Sequence, residues 1–179
     1  MKKVSILFLA VLITAGISLN AFGQSDKSKR PSPPMTASGE VGDLKIVIDY
    51  GAPYVKGRTI FGSGDNAKEA YGKVWRTGAN EATTFSVNKN VTIDGNPLPA
   101  GKYALFTIPE ANEWTVIFNK EPEQWGAYDY DHSEDALRIK VKPEKPSALQ
   151  EQLMFEVGGD GQVTFAWENV TFDFNVNAN

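Results

Sequence analysis

The stretch LMFEVGGDGQVTFAWENVTFDFNV, residues 153–176, decides the fold. Leu153, Phe155 and Val157 alternate with Met154 and Glu156, and the glycine-rich Gly158-Gly159-Asp160-Gly161 then supplies a flexible turn. Val163, Phe165 and Trp167 alternate with Thr164 and Glu168. Val170, Phe172, Phe174 and Val176 alternate with Thr171, Asp173 and Asn175. Successive side chains on a strand point to opposite faces, so each segment buries one face and wets the other. That is the antiparallel habit.

The same period of two runs outward toward the N-terminus. Leu137, Ile139 and Val141 alternate with Arg138, Lys140 and Lys142, and Leu44, Ile46, Ile48 and Tyr50 share one face with Lys45 and Asp49 opposite. Phe85 and Val87 form another such strand, and Val91 and Ile93 run into Asp94-Gly95, a hairpin signal. Tyr103 to Ile108 and Trp114 to Phe118 are apolar on both faces and read as central strands, joined at hairpin length by Glu110 to Glu113. This gives about nine short strands. Asp65 to Tyr71 is the one stretch with helix-forming composition. No strand–helix–strand rhythm and no fixed repeat occurs, so the expected fold is all-β, an antiparallel sandwich or jelly-roll-like body. A closed barrel of lipocalin type is the alternative.

Residues 1–23 read as a secretory signal peptide. Lys2 and Lys3 precede the apolar run Ile6 to Ile13, and Ala21 and Gly23 place small residues before the expected cleavage site. The run is too short for a membrane span, which needs about 20 apolar residues. The expectation is a periplasmic or secreted protein with no membrane span after cleavage. Gln24 to Gly39, containing Pro31-Ser32-Pro33-Pro34, reads as an extended tether. A single β-sandwich domain is expected over residues 40–177.

Composition narrows function by exclusion. The 179 residues carry a formal net charge of -4, which argues against a nucleic-acid partner. There is no cysteine and only one histidine, so thiol catalysis, iron–sulfur and multi-histidine metal centres are excluded. No nucleophile elbow or phosphate-binding glycine loop occurs, and nothing asks for a cofactor. Asp129, Asp131, Ser133 and Asp135 open like a calcium loop. The match then fails at Glu134 and Lys140, where that loop needs Gly and a bidentate Glu.

Three segments depart from alternation. Lys56 and Arg58 flank Gly57 in a cationic turn ahead of Ile60-Phe61, suited to clamp an anionic or polyhydroxyl group. The plainer reading has Ile60 and Phe61 plugging the sandwich end with the charges in water. Residues 71–84 concentrate Trp75, Arg76, Asn80 and Glu81 around Gly78-Ala79, as a polar pocket wall or as a buried Arg76–Glu81 pair. Glu81 is also the residue a hydrolase would use as acid or base. In the acidic loop from Glu121 to Asp135, Trp125, with Tyr128 and Tyr130, could stack a sugar ring, or Trp125 could be tucked into the core. The leading expectation is a non-enzymatic module for a small polar or carbohydrate-like ligand, held by Trp75, Arg76, Asn80 and Glu81 with Lys56, Arg58 and Trp125 outside them. A hydrolase using Glu81 and a protein-interaction module of the cell envelope are the alternatives.

The segments YGKVWRTGANEAT (71–83), LPAGKYALFTIP (98–109), WTVIFNK (114–120) and QWGAY (124–128), with Lys56-Gly57-Arg58 and Ile60-Phe61-Gly62, resemble an exported bacterial family known as domain of unknown function 2911, common in Bacteroidetes-type bacteria. The resemblance covers roughly Gly42 to Val176. It implies an exported domain and brings no catalytic residues with it. The family pattern implies Tyr-Ser ahead of the Lys-Gly-Arg turn, and Tyr50-Gly51 stands there instead.

Overall fold

A computed structural model describes residues 26–64 and 66–179. The expected signal peptide, residues 1–23, lies outside the described residues. Among the described residues there are thirteen strands: β1 (Pro34–Val41), β2 (Leu44–Gly51), β3 (Phe61–Gly62), β4 (Glu69–Ala70), β5 (Thr83–Val87), β6 (Val91–Ile93), β7 (Asn96–Leu98), β8 (Gly101–Ile108), β9 (Trp114–Asn119), β10 (Asp135–Val141), β11 (Gln150–Val157), β12 (Gln162–Glu168) and β13 (Val170–Ala178). Six of them form one antiparallel sheet in the order β1-β2-β5-β8-β9-β10, and five form a second in the order β11-β12-β13-β6-β7. The sheets pack face to face as a sandwich. They remain separate sheets with their own edges, which sets aside the closed barrel.

The turns follow from their residues. Asp94 (φ 47°) and Gly95 (φ 82°) adopt the left-handed pair that a two-residue hairpin needs, so Ile93 pairs with Asn96. Gly161 (φ 88°) closes the turn between β11 and β12, where a Cβ would lie 2.2 Å from the Val176 carbonyl oxygen. Between the sheets lies an aromatic core. Phe165 and Phe172 are cross-strand partners with rings stacked at 4.7 Å. Trp75 stacks on Trp167 at 5.7 Å, and Phe61 meets Trp75, Trp114 and Trp167 edge-on. Burying each such ring contributes about 1.5–3 kcal/mol relative to exposure. Ile60 and Phe61 therefore plug one end of the sandwich, as the plainer reading of their loop expects.

β8 and β9 are buried on both faces for a local reason. On the outer side of the six-stranded sheet Ala82, Ala104, Phe106 and Ile117 form a second small core under Val74, Ala127 and Tyr130. The acidic loop lies across this part of the sheet and leaves the β1–β2–β5 end of the same face uncovered by it.

Three expectations change. The folded body begins before residue 40: Pro34–Val41 pair along β2 from Gly51 to Leu44, and Lys27–Lys29 make a one-turn 3-10 helix capped by Asp26. Prolines at 31, 33 and 34 delay the ladder without preventing it, because an edge strand tolerates a missing donor. Residues 66–71 form turns and β4 instead of a helix. The backbone N–H groups of Lys68, Glu69 and Tyr71 donate to the Thr59, Ile60 and Gly62 carbonyls, so pairing with β3 takes the donors a helix would use. The strand count rises from about nine because β1, β3, β4 and β7 are short or built from small and polar residues that carry no alternation. No helix among the described residues is long and apolar enough to cross a membrane.

Candidate functional site

Register places a polar row across the outer face of the six-stranded sheet. Thr36 pairs with Asp49, Asp49 with Thr84, Thr84 with Ala104, and Ala104 with Asn119. Their inward neighbours Ile48 and Phe85 belong to the core, so period two forces these residues outward. Thr36 Oγ1 donates to Asp49 Oδ1 at 2.6 Å. Above the row opens a cleft of about 560 Å³, with Lys102 at its side and Pro122, Glu123, Gln124 and Trp125 as a wall. That volume is in the range of small-ligand sites, about 300–1,000 Å³. Thr84 Oγ1, on the floor, and Gln124 Oε1, in the wall, are buried with no hydrogen-bond partner among the described residues.

The loop from Trp75 to Glu81 sets the other wall. Thr77 (φ 53°) and Asn80 (φ 66°) both take left-handed backbone, a rare state for a β-branched residue. The surroundings hold them there. Thr77 Oγ1 donates to the Thr107 hydroxyl at 3.2 Å, Thr83 Oγ1 donates to the Thr77 carbonyl at 3.0 Å, and Trp75 Nε1 donates to the Gly78 carbonyl at 3.2 Å. A Cβ on Gly51 would lie 2.1 Å from the Ala79 carbonyl oxygen, so β2 and this loop touch backbone to backbone. The two walls are joined to each other. Ala82 N–H donates to the Gln124 carbonyl, Gly126 N–H to the Asn80 carbonyl, and Glu81 bridges to Trp125. Loop strain of this kind gathers at binding and catalytic sites.

The N-terminal segment lies over the opening. Lys27 Nζ is 2.9 Å from Glu81 Oε1, and Arg30 Nη1 is 2.7 Å from Glu81 Oε2. The Arg30 guanidinium sits 5.8 Å over the Trp125 ring, and Asn80 Nδ2 donates to the Ser32 carbonyl at 3.0 Å. Burial raises the Glu81 carboxyl, but the hydrogen bonds from Lys27, its own backbone and Arg30 outweigh it and hold the group at about 2. Trp125 is 53% exposed, where the expectation of a core position has it buried, because Gly126 (φ 70°) turns the chain and leaves the indole at the rim.

A family model described as Protein of unknown function (DUF2911) matches residues 32–176. The chain belongs to that family. The match starts two residues before β1, leaves out the cleft residues Lys27 and Arg30, and takes in the whole of both sheets except the last residues of β13. No curated protein matches the chain. No solved structure matches it either.

The fold divides the seven residues expected at the site of this DUF2911 chain. Asn80, Glu81 and Trp125 line the cleft. Trp75 does not: at 3% exposure it belongs to the inter-sheet core. Arg76, one residue on, lines a separate hollow of about 260 Å³ with Glu69, Val74, Trp75, Ala127 and Tyr128. Its Nε is buried without a partner among the described residues. The Arg76–Glu81 pair is therefore not formed, and Glu81 takes Lys27 and Arg30 in its place. Lys56 and Arg58 line neither hollow. Arg58 donates from Nε to the Val55 carbonyl at 2.9 Å and from Nη2 to the Tyr54 carbonyl, and Lys56 Nζ lies 5.8 Å over the Tyr54 ring, so both stabilise their own turn.

The acidic loop uses its carboxylates structurally. Asp131 caps a 3-10 turn by accepting from Ser133 N–H at 2.8 Å. Asp135 accepts from Asn119 Nδ2, Tyr130 Oη and Arg138 Nε at 2.7–2.9 Å. Among the described residues no three His, Cys, Asp or Glu side chains converge as a metal site. Sequence reading misses Lys27, Arg30, Asp49, Thr84 and Lys102. Asp49 and Thr84 carry the available signal, as polar members of strands whose other face is core. Lys27 and Arg30 carry none, because the proline run after them reads as a tether.

Proposed function

We propose that this protein is an exported, non-enzymatic binding module that takes a small polar ligand in the cleft on the outer face of its six-stranded sheet. One observation carries the reading: an exposed indole, Trp125, stands at the rim of a cleft whose floor holds an unpartnered hydroxyl, that of Thr84. An aromatic face beside hydroxyl, amide and carboxylate groups suits a polar molecule with an apolar face, sugars included. Export rests on the N-terminal sequence pattern.

The geometry favours binding over hydrolysis. A carboxylate held at about 2, with both oxygens taken by cations, is a poor proton donor and a weak base near neutral pH. A broad docking face is also less well supported. Of the exposed large apolar side chains among the described residues, Met35 and Trp125 belong to the cleft itself, while Tyr128 and Leu149 lie outside it.

The test is a screen of glycans, sugar acids and small metabolites against the chain from Gln24, read by tryptophan emission. Trp75, Trp114 and Trp167 are buried, so the solvent-exposed emission belongs to Trp125. Saturable binding that weakens about tenfold or more in Trp125→Ala, about 1.4 kcal/mol, is expected. A library without hits, or a ligand that Trp125→Ala binds equally well, overturns the reading.

A further inference from the structure

The cleft contains groups from two sources. Asp49, Glu81, Glu123, Lys102 and Trp125 belong to the sheet and its loops, and Lys27 and Arg30 belong to the segment laid across them. Without that segment the fixed walls hold three carboxylates, one ammonium and an exposed indole. Carboxylates beside an aromatic face make a receptor for organic cations. The segment treats it as one: its ammonium takes one Glu81 oxygen, its guanidinium takes the other, and the same guanidinium lies over the Trp125 ring. The buried Thr84 hydroxyl beneath has no partner among the described residues with the segment in place, so residues 26–32 do not use all the hydrogen-bonding capacity of the floor.

We propose that residues 26–32 are an intramolecular stand-in, and that the cleft's own ligand is an organic cation bearing a guanidinium or ammonium group, which displaces them. The proposal rests on reading the cleft as a binding site and adds the ligand's charge and the competition. The segment is built to leave. Its 3-10 turn buries no residue, Lys27 is 51% exposed in its side chain, and the tie at Ser32 is a single hydrogen bond from Asn80. The exposed Lys27–Glu81 pair is weak and salt-sensitive, and Arg30, 23% exposed in its side chain, is the segment's firmer hold. A segment closed nine-tenths of the time lowers the apparent affinity for a competitor about tenfold.

Two probes distinguish the sources of such a cation. One is a peptide with the sequence of residues 26–34, DKSKRPSPP. The other is agmatine, which carries one guanidinium and one ammonium. Both are titrated by Trp125 emission into the chain from Gln24, its Lys27→Ala/Arg30→Ala variant, and that variant with Glu81→Gln added. The double variant should bind at least one probe about tenfold more tightly than the parent chain, with Trp125 more open to acrylamide. Adding Glu81→Gln should cost about tenfold. Agmatine binding marks a small cation as sufficient, and binding of the peptide alone marks a basic chain segment. Equal binding by the parent and the double variant, or no loss on adding Glu81→Gln, overturns the proposal. If an uncharged sugar binds at Trp125 while neither cation binds, the cleft survives as a site and the cationic class falls. If nothing binds and acrylamide quenching is unchanged in the double variant, both readings fall.

Discussion

Glu81 is a single carboxylate shared by an ammonium and a guanidinium, with its backbone bridged to Trp125. Its folded-state pKa, about 2, lies below the ordinary value of 4.5. A depressed carboxylate stabilises the folded arrangement above its unfolded pKa and loses that contribution as pH falls toward the folded one. The window is therefore about pH 5 down to about pH 2. Lys27 and Glu81 are 51% and 45% exposed in their side chains, so that pair is worth about 0.2–1 kcal/mol after solvent screening, while Arg30, at 23%, is screened less. Acrylamide quenching of Trp125 should be flat from pH 8 to 5 and rise below it. Glu81→Gln should quench as strongly at pH 7 as the parent does in acid and should show no such rise. A parent profile that stays flat into acid, or a Glu81→Gln profile with the same rise, contradicts this role for the ion pair; Asp49 and Glu123 line the same cleft and would then account for the rise. At this scale the sequence reveals Glu81, Asn80 and Trp125 as unusual, because polar and aromatic residues crowd irregular segments. Alternation along an extended segment already sets the adjacent Trp75 and Arg76 on opposite sides; it cannot reveal that the Trp75 side is the inter-sheet core.

The loop that carries Asn80 and Glu81 is an element defined by its contact with β2. Gly51 stands where the family pattern implies serine, and the structure supplies a reason for glycine here: an added Cβ meets backbone, the Ala79 oxygen at 2.1 Å and its carbon at 2.9 Å. Gly51→Ser should therefore destabilise by about 1–3 kcal/mol and loosen the cleft wall. Gly159→Ser is the control, because a Cβ there meets nothing within 4 Å. Urea unfolding checks both; equal midpoints for the two variants would show that the loop gives way freely. The strands with regular alternation are legible in advance because burial on one face needs period two. β1 is not, because Pro34, Thr36, Ala37, Ser38 and Gly39 carry little apolar signal, and pairing with β2 together with packing against Val157 of β11 orders them. The helix-forming composition around Lys68 and Glu69 misleads for a related reason: short propensity yields to tertiary pairing with β3.

At the scale of the whole molecule, two antiparallel sheets hold an aromatic core between them. A loop lies on one outer face, covers the β8–β9 end and leaves the β1–β2–β5 end as a walled cleft. The two-sheet body is readable from alternation because hydrophobic burial dictates it. The cleft is not, because it arises from strand order and register: Thr36, Asp49 and Thr84 become neighbours only when β1, β2 and β5 lie side by side. The central claim is that this cleft, and no other surface, takes ligand. The most direct measurement is a ¹H–¹⁵N correlation spectrum of the chain from Gln24, recorded with pooled small polar and cationic compounds. Four indole N–H signals are available, and Trp125 provides the one from an exposed ring. The account predicts saturable shifts of the Trp125 indole and of the Asn80, Ala82, Thr84 and Gln124 amides, with the Trp75, Trp114 and Trp167 indoles unmoved. Shifts centred on another surface, or none across the pools, would contradict it.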